Sequence, residues 1–120
     1  MNNPLASQVG GNHYVCMKIQ PIVFIVDAQL SFIQGCIVKY ITRYKNKNGK
    51  QDIEKCIHYS KLAIELNEAV PELSNICLAY NYCKNNNLEQ LQTNIVISAV
   101  KADYYNVIRY CNALIKKEYS

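Results

Sequence analysis

Between Asp27 and Asp52 the chain carries no acidic residue, yet it places Lys39, Arg43, Lys45, Lys47 and Lys50 there, interleaved with Tyr40 and Tyr44 and closing at Asn48-Gly49. Five cations this close repel one another, so the run persists most easily where an anion screens them. The interleaved rings offer faces to a flat partner, which makes a phosphorylated, base-bearing molecule the natural ligand. Arg43 supplies a planar fork that matches two phosphate oxygens, and the lysines act as movable point charges. His13 lies in a polar segment, where a neutral imidazole can bond a phosphate or a base and titrates near neutrality. Tyr14 beside it is positioned to stack on, or bond to, a base or sugar. The candidate ligand-binding set is therefore His13, Tyr14, Lys39, Arg43, Tyr44, Lys45, Lys47 and Lys50, with Lys55 of the following helix. No catalytic residue is assigned.

The acid most relevant to this set is Asp52, at the start of a helix, where a carboxylate satisfies free N–H groups. Capping is its expected role. Asp52 or Glu54 could hold a magnesium ion through water if one accompanied a nucleotide, but no carboxylate cluster of the usual metal type exists, and no tightly bound metal is expected. Six cysteines at irregular spacing include no C-x-x-C pair, so they read as reduced, mostly buried thiols. There is no G-x-x-x-x-G-K-[ST], no G-x-G-x-x-G and no nucleophile elbow.

The elements that must carry these residues follow from apolar spacing. Ile33, Cys36, Ile37, Tyr40, Ile41 and Tyr44 recur at helical intervals, with Lys39 and Arg43 one turn apart on the flank of that stripe. A first helix starts at Pro21 and runs to about Leu30. A third spans about Gln51 to Asn67 with two apolar faces and hence two packing partners. Later helices begin after Pro71, at Leu88, and at Asp103, which reads as an N-cap; the fourth stops at Asn85-Asn86-Asn87. Ile22 to Val26 and Ile95 to Val100 are β-branched enough for strands, but sustained alternation is absent. The chain reads as all-α, a bundle of five or six short helices, with residues 1–12 as a flexible, irregular arm, 13–66 as the ligand-binding region and 67–120 as C-terminal helices. With apolar residues at 50% and charged residues at 18%, it is too apolar for a disordered chain. Ten tyrosines, four of them in the last helix, favour a homo-oligomer built through the C-terminal half. No run is long enough to span a membrane and no signal peptide is present, which places the chain in a reducing cytoplasm.

The string Gly11-Asn12-His13-Tyr14, then Ile19-Gln20-Pro21-Ile22, then Gly35 leading to Lys39-Tyr40-Ile41-Thr42-Arg43-Tyr44-Lys45, Lys47-Asn48-Gly49, Asp52-Ile53-Glu54-Lys55 and Tyr59 resembles the SaV-like family of short tailed-phage proteins. That family includes a nucleotide kinase that phosphorylates deoxynucleoside monophosphates without a Walker-type loop. The resemblance, over about residues 11–66, implies a nucleotide-binding phage protein acting in the host cytoplasm, with phosphoryl transfer from ATP and Mg2+ as its specific activity. The chain departs from the pattern at Cys36-Ile37-Val38, where an Asn usually precedes the Ile-Lys-Tyr run, and at Cys56, where an Ala is usual. Loss of that Asn favours a second reading, a sponge that sequesters a host nucleotide immune signal of the cyclic oligonucleotide or ADP-ribose type. A third reading is a nucleic-acid or host-protein binding module, although a single basic cluster does not make an extended nucleic-acid track.

Overall fold

Six α-helices are present in the computed structural model, which describes residues 3–11, 14, 16–68 and 75–120: α1 (Pro21–Asp27), α2 (Phe32–Arg43), α3 (Lys50–Glu65), α4 (Ile76–Asn85), α5 (Gln90–Val100) and α6 (Tyr104–Tyr119). Two 3-10 turns, Pro4–Ala6 and Tyr44–Asn46, complete the regular structure, and no strand occurs among the described residues. The protein is all-α. The β-branched run in α5 is helical because tertiary burial outweighs a local preference worth only tenths of a kcal/mol per residue, whereas α1, with Ile22 and Val26 exposed, is started by Pro21 and held through the buried Phe24. His13 lies outside the described residues, as does the chain around Pro71.

Four helices close a ring. α2 packs on α3, α3 on α6, α6 on α5, and α5 back on α2, with Ile37, Ile41, Ile53, Cys56, Ile95, Val107, Cys111 and Leu114 buried among them. The two apolar faces of α3 meet α2 and α6. α1 lies on α2 and α4, and α4 on α5. Gly35 sets the α1 approach, since a Cβ there would stand 3.1 Å from Cγ2 of Ile25.

Two glutamines lock α2 to α5 reciprocally. Ser31 caps α2 in a capping box with Gln34, and the buried Gln34 amide also donates to the carbonyls of Ala99 and Val100 at the end of α5, at 2.9 and 3.2 Å. Glu89 caps α5 with Gln92, whose buried amide donates to the Ile41 carbonyl near the end of α2 at 3.0 Å. Each side chain thus serves the start of its own helix and the carbonyls at the end of the other, groups costly to leave unpaired in the interior.

The helix ends explain where chain spacing misplaces boundaries. α1, α3, α4 and α5 each stop at a residue of positive φ, namely Gln29 (54°), Asn67 (49°), Asn87 (55°) and Ala102 (53°). In every case the next N–H reaches back five residues: Leu30 to Ile25, Glu68 to Ala63, Leu88 to Cys83 and Asp103 to Ser98. These are Schellman closures made without glycine. α1 therefore ends at Asp27, short of Leu30, with no glycine to announce it. α6 starts where Asp103 accepts from the Asn106 N–H at 3.2 Å, as an N-cap should.

An alanine in the left-handed region costs about 1–2 kcal/mol. Ala102→Gly should therefore raise unfolding stability by about 1 kcal/mol after glycine's larger entropy loss is subtracted, read as a higher urea midpoint at unchanged slope. Gly49→Ala should move the midpoint the other way, because Gly49 holds φ 56° and ψ −127°, and a Cβ would meet the Tyr119 hydroxyl at 3.2 Å.

Candidate functional site

Asp52 sits in the first turn of α3 with no exposed surface. Its carboxylate accepts from Nε and a terminal nitrogen of Arg43 at 3.3 and 3.2 Å and from the Asn48 N–H at 3.2 Å, while Lys55 Nζ lies 3.9 Å away. The expected capping role is not what it performs: no side chain caps α3 at Gly49, and the backbone N–H from which Asp52 accepts belongs to Asn48, ahead of the helix. One side chain closes the turn between α2 and α3 and holds the Arg43 fork side-on. Burial opposes the charge on Arg43, but the bonds to Asp52 and Tyr14 prevail and raise its pKa. Burial likewise pushes the Tyr14 phenol up, against the hydrogen bond and charge of Arg43.

Around this anchor three cations gather on one ring. Lys39 Nζ stands 5.0 Å, Arg43 Cζ 4.7 Å and Lys55 Nζ 4.9 Å from the centroid of Tyr40. The attraction of the ring for each cation offsets part of their mutual repulsion. Tyr40 stacks in turn on Tyr59 at 6.0 Å with 17° between planes, and Phe32, 77% exposed, meets Tyr59 edge-on at 6.2 Å. An aromatic row thus leads from the exposed start of α2 to the cations. On the other flank Tyr14 and Lys39 line a groove of about 120 Å³ with Gln20, Pro21, Ile22 and Ile25. The Tyr14 backbone is fixed there by a 2.7 Å bond from its N–H to Gln8.

The fold disperses the basic run. Tyr14, Lys39, Arg43 and Lys55 come together. Lys45 pairs instead with Glu89 at 2.5 Å across the start of α5, and Lys50 lines a separate groove between α3 and α6 with Glu54, His58 and Lys61. Lys47 is exposed in the turn. Tyr44 is wholly buried and donates to Glu118 at 2.8 Å, so its ring is withdrawn from the surface. Tyr59, quoted in the family resemblance but not among the candidate ligand-binding residues, joins the cluster, and its signal was there: it lies one turn beyond Lys55 on the same face of α3. Among the described residues no three His, Cys, Asp or Glu side chains gather at a metal. Of the six cysteines, all unpaired, Cys56, Cys83 and Cys111 are buried, Cys36 is half-buried, and Cys16 and Cys77 are exposed, fewer buried than spacing suggested.

A family model matches residues 2–61. The chain belongs to the family described as "Protein of unknown function (DUF3310)". The DUF3310 segment comprises α1, α2 and most of α3, and it contains every member of the cluster, namely Tyr14, Lys39, Tyr40, Arg43, Asp52, Lys55 and Tyr59. α4, α5 and α6 lie outside it. No curated protein and no solved structure matches the chain. No described helix is long and apolar enough to cross a membrane.

Removing the Asp52 charge leaves Arg43 and Lys55 without their buried counterion. Asp52→Ala should cost about 3–5 kcal/mol, measured by denaturant unfolding. A pH series supplies a separate check. Burial raises the pKa of Cys83 from 9.0 to about 11 and raises those of Tyr14, Tyr44, Tyr82 and Tyr104 above 10.0. Folding therefore favours their protonated forms, a stabilisation complete below pH 9 and lost as pH rises through the folded values. The denaturation midpoint should fall steadily from pH 9 to 12, and Tyr44→Phe and Tyr104→Phe together should flatten that fall.

Proposed function

We propose that the protein binds a nucleotide or nucleotide-derived small molecule across α2 and α3. The observation that carries this reading is the convergence of Lys39, Arg43 and Lys55 on Tyr40 with Asp52 as the acid set among them. The excess of positive charge suits phosphates. A stacked row of exposed and half-exposed rings suits a base, since every base has a π-face. The location of the whole cluster in the DUF3310 segment fits a role for it in that family, and the SaV-like resemblance supplies the nucleotide as ligand.

Two outcomes of binding are distinguished by Asp52. Phosphoryl transfer from ATP with Mg2+ to a deoxynucleoside monophosphate is the activity that the resemblance implies, and three positioned cations are the kind of charge stabilisation such transfer uses. The carboxylate among them, however, is occupied by Arg43 and by the Asn48 N–H, and a base must be within reach of the proton it takes. That occupancy favours the second reading, retention of a nucleotide signal without chemistry. Either reading allows the homo-oligomer, with the exposed Tyr105 and Tyr119 of α6 available to a second copy.

Calorimetric titration with ATP, ADP, the four deoxynucleoside monophosphates, a cyclic dinucleotide and ADP-ribose tests the proposal. At least one should bind, with affinity falling about tenfold in Lys39→Ala and again in Lys55→Ala and weakening as salt is added. No binding by any of them would refute the reading. Transfer of labelled phosphate from ATP to a monophosphate would select the enzyme, and tight binding without transfer would select the sponge.

A further inference from the structure

α5 is the most enclosed helix of the fold, packed by α2, α4 and α6, with every residue from Ile95 to Val100 buried. Yet one stripe of it is polar. Gln90, Thr93, Asn94, Ser98 and Lys101 recur at intervals of three and four along a single face, on which Ile97 is the one apolar member. α4 and α6 both pack on α5 but not on each other, so they stand as two walls with this stripe as the floor between them. The space enclosed is about 270 Å³, and its walls include Tyr80 from α4 and Asn106 and Tyr110 from α6.

We infer that this groove is a second binding site, for a single uncharged ring bearing several hydroxyl groups, either a free monosaccharide or the ribose of a nucleoside. The chemistry of the lining selects that class. Amides and hydroxyls both donate and accept, as each sugar hydroxyl does. Gln90 donates to Asn94 at 2.8 Å, which engages one of the two Gln90 donors and one Asn94 acceptor and holds the amides in a fixed pair. Asn106 is held by Asp103 and by Arg109 at 3.1 Å, so the opposite wall is also pre-set. Tyr80, 56% exposed, and Tyr110, backed by Arg109 Cζ at 4.7 Å, supply ring faces for the apolar side of a sugar. Lys101 and Asp103 line the same groove and cancel in charge, which gives an anion no net attraction. The volume lies just under the usual range of small-molecule pockets, roughly 300–1,000 Å³, which limits the occupant to about one substituted ring. The groove stands wholly beyond residues 2–61, so it is a feature this chain adds to its DUF3310 segment.

The test is a titration of the full chain by amide NMR with D-ribose, uridine and uracil. Saturable shifts with ribose or uridine, confined to residues 76–110 and weakened about fivefold by Asn94→Ala or Tyr80→Ala, are expected. Tyr80 is exposed enough that its replacement should leave the melting curve in place. A uridine response stronger than that of ribose would identify a nucleoside as the occupant, and an equal or weaker one a free sugar; both support the site. The proposal is overturned if neither probe gives shifts there, if uracil alone shifts these residues as much as uridine, or if they shift with protein concentration before any probe is added.

Discussion

A single carboxylate with no exposed surface organises the amino-terminal half of this protein. Asp52 receives the Arg43 fork from α2, the Asn48 N–H from the turn and the field of Lys55 from its own helix. Two helices and their connection thus share one counterion. Because it is buried, water does not screen the pairing with Arg43, whose own side chain is 12% exposed. The arrangement also leaves the cluster with more positive than negative charge. The structural anchor and the proposed ligand-binding surface share Arg43 and Lys55.

The far end of the chain supports that anchor from below. Glu118 accepts from the buried Tyr44, and the Tyr119 hydroxyl lies against Gly49, so the last turn of α6 underlies the basic turn. Lys45 reaches Glu89 at the start of α5. The family segment therefore rests on helices outside it. The reciprocal bonds of Gln34 and Gln92 carry the same dependence through the core, joining α2 of the segment to α5 beyond it.

The two proposed sites differ in how they use polar groups. Charge is concentrated on α2 and α3 beside stacked rings, whereas the α4–α5–α6 groove is lined mainly by amides and hydroxyls. A phosphorylated ligand has reason to choose the first and an uncharged ring the second. The two surfaces lie on different elements, joined through the core by the α2–α5 bonds of Gln34 and Gln92.

Periodicity alone determined the helical class, the stripe of α2, the two-sided α3 and the Asp103 cap, because each depends on residues within a turn or two of one another. The concentration of cations between Asp27 and Asp52 was equally legible, being a fact of composition. Three-dimensional packing decided the rest. The helix ends at Gln29 and Ala102 carry no glycine to mark them, and their closure comes from backbone bonds. Lys39 and Lys55 are sixteen residues apart, yet they meet at one ring because α3 turns back along α2; Lys45 and Lys50, both nearer in sequence to Arg43 than Lys55 is, are drawn to other faces. Spacing along a chain specifies which side of a helix a residue occupies, but only the packing of helices against one another specifies what that side confronts.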